Sequence, residues 1–427
     1  MISNFRLTPP VKQPFASFHL PAANQVVLAN QIPCLLVNTG TQEIARLEIV
    51  FAINPTKGGH LAGIVAKTLF SGTEKNKSKD ILDQLESVGA FHEVTSSSDR
   101  LTVTVFVLSR MLYAVLPILE DVLTSAVFPD EEIEIQKRNS IQAIRVNAEK
   151  TSIVASQTFR KVLFGEDTPL GKSLKEEDIL CVTREECVQF YQENIQNSAF
   201  QVCLAGKFSE HEWNDFARII GTWEIRNEYK GLQSPFLSFN SERGHVTLPK
   251  KGAMQASIRV GRPLFDRKDP DYFPFLVTNT ALGGYFGSRL MKNIREEKGL
   301  TYGISSSLVP SVSFGYWVLG ADVKVDLIQV VIDEIYLELQ KMQSDMMNEE
   351  ELSTVKNYMI GSFIGSLNTA FDIADKHKTI LFNQLPENYY IEYIANIQEV
   401  TPEKIQEMAR KYLGKEELFE VLVGSES

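Results

Sequence analysis

Leu282-Gly283-Gly284-Tyr285-Phe286-Gly287-Ser288-Arg289-Leu290, followed by Ile294-Arg295-Glu296-Glu297-Lys298-Gly299-Leu300-Thr301-Tyr302, is the most strongly punctuated stretch of the chain. It reads as a glycine-rich turn, a helix over Ser288 to Glu297, a glycine stop at Gly299 and a strand that opens at Tyr302. Arg295 and Tyr302 lie seven residues apart across a tight turn. A fixed cation and a phenol donor can therefore share one side of a cleft and hold a carbonyl or a developing oxyanion. The same two residues also have a plainer reading, an arginine capping its own helix and a tyrosine packing at a strand edge.

Outward from this stretch, Phe273 to Leu282 reads as a helix, and Tyr302 to Val309 and Tyr316 to Val323 read as strands. Asp326 to Met342 and Glu349 to Ile364 are long amphipathic helices. The first half runs in the same order. Ile44 to Ile53 alternates as a strand with one buried face, Gly58-Gly59 breaks the chain, and helices follow over His60 to Leu69 and Lys79 to Val88. Leu101 to Leu108 is a strand, and Met111 to Ala126 and Glu131 to Asn147 are long helices. Glu131-Glu132 with Lys137 is echoed by Glu350-Glu351 with Lys356, 219 positions later. The order predicts a duplicated α+β unit: two similar domains, each a mostly antiparallel or mixed sheet packed with helices. Residues 1–225 form the N-terminal domain, 226–250 a linker rich in polar and turn residues, and 251–427 the C-terminal domain.

Composition narrows the function. The chain has 427 residues, 44% hydrophobic and 23% charged, with 43 basic against 54 acidic residues and a net charge of −11. That balance speaks against a nucleic-acid partner. No apolar run approaches the ~20 residues of a membrane span. The most apolar stretch, Ala114 to Phe128, is broken by Glu120 and Asp121. Residues Met1 to Arg6 lack a charged start followed by an apolar segment, so a cytoplasmic location is expected. Cys34, Cys181, Cys187 and Cys203 contain no Cys-x-x-Cys pair and read as reduced thiols. Of the six histidines, no two lie within five residues of each other. His92-Glu93 and His211-Glu212 both lack a second histidine four positions on, and no Gly-x-Ser-x-Gly elbow supports a serine nucleophile.

The Gly283 to Tyr302 stretch resembles the C-terminal signature of the pitrilysin/insulinase family of zinc peptidases, especially short bacterial members related to mitochondrial processing peptidase. Other landmarks agree in order: Phe70-Ser71-Gly72-Thr73, the Gly89-Ala90 to Asp99 segment, Phe164-Gly165 with Pro169-Leu170-Gly171, and Gln255 with Gly261-Arg262-Pro263. The resemblance implies two domains enclosing a cleft or chamber. It also implies a His-x-x-Glu-His helix just before Phe70, where two histidines hold a metal and a glutamate polarises its water. Registration on Phe70 puts Gly63 and Lys67 at the histidine positions and Ala66 at the base. The third ligand falls near Ala143, with Glu149 the closest downstream acid.

By this resemblance the chain binds no metal itself and works beside a companion subunit that carries the intact motif and the zinc, as a hetero- or homodimer. Arg295 and Tyr302 would then bind a peptide substrate or its transition state in the companion's site, with the peptide added as a strand to a sheet edge. Two alternatives remain, a structural or peptide-binding scaffold without turnover and an active metallopeptidase with atypical ligands.

Overall fold

The computed structural model describes residues 18–53, 59–224 and 244–424. Most of the predicted linker lies outside them. Its described end is not linker, because His245–Leu248 is a strand of the second sheet.

In the first half the strands are β1 (Asn24–Val27), β2 (Pro33–Asn38), β3 (Ile44–Ala52), β4 (Phe91–Ser96), β5 (Arg100–Leu108) and β6 (Phe200–Gly206). The helices are α1 (Gly59–Thr68), α2 (Ser78–Ser87), α3 (Leu112–Ser125), α4 (Asp130–Ala148), α5 (Thr151–Phe164), α6 (Glu176–Leu180), α7 (Arg184–Tyr191) and α8 (Glu210–Ile220). The second half supplies β7 (His245–Leu248), β8 (Gln255–Leu264), β9 (Thr301–Pro310), β10 (Gly315–Lys324) and β11 (Phe419–Val423). Its helices are α9 (Tyr272–Asn279), α10 (Ile328–Ser344), α11 (Glu349–Gly365), α12 (Ala370–Phe382), α13 (Tyr389–Glu399) and α14 (Pro402–Tyr412).

The sheets run β1-β2-β6-β3-β5-β4 and β7-β11-β8-β10-β9. Without β1 the two orders are the same. In each, one parallel pair, β2 with β6 and β7 with β11, sits in an otherwise antiparallel sheet. The duplication extends to single hydrogen bonds. Lys137 Nζ donates to the carbonyl of Val182 at 2.9 Å and Lys356 Nζ to that of Gln398 at 2.8 Å. Each lysine thus satisfies a carbonyl at the end of the helix before a threonine-capped one, with Thr183 accepting from Glu186 N and Thr401 from Lys404 N. The paired Glu-Glu…Lys pattern of the sequence has this physical basis.

The two halves exchange one helix each. Helix α5 of the first half packs on β8 and β11, burying Ala155, Phe159 and Leu163 against Phe419 and Val421. Helix α12 of the second half packs on β2 and β6, burying Ile373 and Ala374 against Val37 and Ala205. Each buried phenylalanine of α5 stabilises this arrangement by roughly 2 kcal/mol. The exchange corrects the reading of β3 as a strand with one buried face. Ala45, Leu47, Ile49 and Phe51 do enter the core of the first half, but Arg46 and Glu48 on the other face are also buried, at 8% and 7% exposure. Alternating polarity predicts water on the polar face; here α12 covers it instead and brings countercharges.

Candidate functional site

The glycine-rich stretch folds by close contact. Helix α9 continues into a π-helical turn, Thr280–Gly284, which lies against β9. A Cβ on Gly283 would come within 2.6 Å of Ser306 Cβ, so only glycine allows this approach. Asn279 at the end of α9 locks the strand. Its side-chain oxygen accepts from the buried Trp317 indole at 2.8 Å and from Ser306 Oγ, and its amide donates to the Ser306 carbonyl at 3.2 Å. The predicted helix after the turn takes π-helical form over Met291–Glu297. Gly299, at φ +63°, ends it, with Leu300 N bonded to the Ile294 carbonyl at 2.9 Å.

Several residues of the motif are used internally. Arg289 makes a two-pronged ion pair with Glu351 of α11, at 2.7 and 2.9 Å, and Leu290 is fully buried. Asn293 donates to Glu334 and Glu338 of α10. Arg295 and Tyr302 are not used in this way. The Arg295 guanidinium lies over the exposed Phe286 ring, 4.7 Å from its centroid, and has no acidic partner among the described residues. Tyr302 is 90% exposed at the start of β9, where the register with β10 shifts before Ile304. Its hydroxyl has no partner among the described residues. β9 ends its sheet, so one row of its backbone groups is free to pair with an extended chain.

The metal positions lie in the other half. Helix α1 packs against β4, α4, α6 and α7. Gly63 faces open space, Ala66 is buried and Ala143 is exposed. Lys67 Nζ donates to Ser140 Oγ of α4 at 3.0 Å. Zinc needs lone-pair donors, and glycine, alanine and a lysine ammonium offer none, so these residues do not fit a metal. Glu149 does not compensate, because it is exposed and faces Lys250 Nζ at 3.1 Å. Lys250, read as a solvated linker residue, in fact also donates to the Ala148 carbonyl at the end of α4. His92 stacks on Phe70, with centroids 4.2 Å apart, and burial lowers its pKa. Glu93 points to the opposite side of β4, into a groove beside α12, so the two do not converge on one ion. Among the described residues no group of three or more His, Cys, Asp or Glu side chains could hold a metal. No helix among them is long and apolar enough to cross a membrane.

The β4–β5 turn and the β9–β10 turn face each other across a cleft of ≈ 490 Å³ between the halves, with Ser96 and Arg100 on one wall and Arg267 and Ser311 on the other. Helix α1 packs beside β4 of the first sheet and the Arg295 segment on β9 of the second, so the two sets belong to different sheets.

The site thus belongs to a twofold-repeated α+β chain with an open strand edge and, among the described residues, no group able to hold a metal. The comparisons with known proteins give the family. Residues 56–176 match the insulinase, peptidase family M16 model, and residues 182–359 match the peptidase M16 inactive domain model. The chain belongs to this family. It is 22% identical over 365 residues to an uncharacterised zinc protease of Streptomyces coelicolor, covering 83% of this chain and 78% of that one. It is 23% identical over 370 residues to a Helicobacter pylori protein described as a non-peptidase homologue, covering 82% and 81%. The crystal structure of a peptidase M16 inactive domain from Pseudomonas fluorescens superposes with a TM-score of 0.81 at 21% identity, over 95% of this chain and 98% of that one, which supports the two-domain α+β fold.

Proposed function

We propose that this chain is the non-hydrolytic subunit of a two-chain metallopeptidase, binding peptide with Arg295, Tyr302 and the β9 edge while a companion with intact His-x-x-Glu-His carries the zinc. One observation carries the reading: the Arg295 guanidinium, which has no acidic partner among the described residues, and the exposed Tyr302 phenol lie beside an open strand edge. A homodimer would unite two positions that lack ligands, so hydrolysis requires a heterodimer. The description of one relative as a non-peptidase homologue supports the loss of hydrolysis.

The test mixes the purified chain with a companion from the same genome that carries the intact motif, and follows cleavage of unfolded peptides. Arg295→Ala or Tyr302→Phe should lower turnover roughly 10²-fold while co-elution persists. Full activity with both variants in a stable complex would favour a scaffold. Peptidase activity of this chain alone, with stoichiometric tightly bound zinc, would overturn the proposal.

A further inference from the structure

The duplication creates the same groove twice, between an exchanged helix and the last two strands of the sheet it covers. In the first half the groove is lined by α12 with β3, β4 and β5; in the second by α5 with β8, β9 and β10. The equivalence is visible in the arginines. Arg46 Nη2 donates to the Phe371 carbonyl of α12 at 3.1 Å, and Arg259 Nη2 to the Ser152 carbonyl of α5 at 3.2 Å.

The contents differ. In the first groove Arg46, Arg100 and Lys378 face Glu48, Glu93 and Asp375, so three cations meet three acids. Lys378 binds Glu48 at 2.7 and 2.8 Å, and Arg46 binds Asp375 at 2.7 Å. In the second groove, of ≈ 360 Å³, Arg259 and Arg160 face the single acid Asp322. Asp322 is already engaged by Ser257 Oγ at 2.6 Å and stands 3.6 Å from Arg259. Arg259 is held in place by Ser156 Oγ and two carbonyls. Half-buried Arg160 has no hydrogen-bond or ion-pair partner among the described residues. Ser305 and Ser307, exposed on β9, line the same wall.

We propose that this second groove is a binding site for an oxyanion, a carboxylate or a phosphate, held by the Arg160 guanidinium with help from the fixed Arg259 and the two serine hydroxyls. A guanidinium matches either anion through paired N–H donors. Its volume suits a small ligand or one terminal residue of a peptide. The proposal stands apart from the companion-subunit reading, since neither Arg295 nor Tyr302 lines this groove.

Isothermal titration of the full chain with inorganic phosphate, and separately with a tripeptide bearing a free or an amidated C-terminus, tests it. Saturable binding is expected for phosphate or for the free-acid peptide over the amide, and the arm that saturates names the source. Arg160→Gln should weaken that binding at least about tenfold with an unchanged thermal midpoint, because Arg160 makes no hydrogen bond or ion pair among the described residues. Arg138→Gln, which removes one exposed charge from α4, should leave it unchanged. No saturable binding in any arm, equal binding by Arg160→Gln, or equal weakening by both variants would overturn the proposal.

Discussion

The two halves share a strand order, a helix order and an exchanged helix, yet they solve the problem of a covered polar strand face in opposite ways. In the first half, Arg46 and Glu48 are buried and α12 answers with Asp375 and Lys378, closing a neutral network. In the second, α5 brings Ser156 and Phe159, which seat Arg259 without neutralising it, and Arg160 has no hydrogen-bond or ion-pair partner among the described residues. The edges divide likewise. The first half holds Lys67 bonded to Ser140 on α1, while the second places Arg295 over Phe286 and Tyr302 beside an open strand, neither side chain hydrogen-bonded among the described residues.

The contrast can be broken most directly at the ion network. Arg46→Met strands Glu48 beside a single cation, and we expect a loss of about 3 kcal/mol in urea unfolding. Ser156→Ala, in the matching groove, removes one acceptor from Arg259 and should cost only about 1 kcal/mol. Equal losses would show that the two grooves are not energetically distinct.

Asn279→Ala sharpens the comparison of the edges. It removes the acceptor shared by Trp317 and Ser306 and should cost about 2 kcal/mol, with hydrogen exchange accelerated in β9 and unchanged in β4. Acceleration confined to other elements would show that the triad does not anchor the edge.

Acid should act on the first half. Burial alone would raise the Asp375 pKa, but hydrogen bonds from Arg46 and Lys378 outweigh it and hold the carboxyl below its ordinary value. A depressed folded pKa gives stability that is complete above the unfolded value near 4 and is lost as pH falls through the folded one. Asp375→Asn should therefore lower stability at pH 7 and flatten its decline below about pH 4. Because the side chain is half exposed, the effect should be about half a kcal/mol. An unchanged acid slope would remove Asp375 from the network. Smallest of all, Lys67→Met should alter stability by no more than about 0.5 kcal/mol, since an exposed amine loses one hydrogen bond. A large loss would make Lys67 a structural replacement for the metal.

Much of this was legible in the chain. Period-two and helical spacing placed β3, β5, β9 and β10 and the four long helices to within a few residues, because their apolar faces lie against cores formed by their own halves. The order of landmarks pointed to the family, and the absence of His and Glu at Gly63, Ala66 and Lys67 needs no structure to be seen. The π-helical form of the Arg295 segment, the strand at His245–Leu248 and the burial of Arg46 and Glu48 were not legible. The only sign of the last was a charged pair within an otherwise apolar strand.

The sequence by itself determined the duplicated α+β architecture and the absence of His and Glu at Gly63, Ala66 and Lys67, since both follow from local periodicity and residue type. Tertiary structure alone decided which polar residues are spent and which are free. That depends on helices distant in the chain, α12 on the first sheet and α5 on the second, with Arg46 and Phe371 325 residues apart and Arg259 and Ser152 107 apart, whose partners are fixed by packing across the halves rather than by any local pattern.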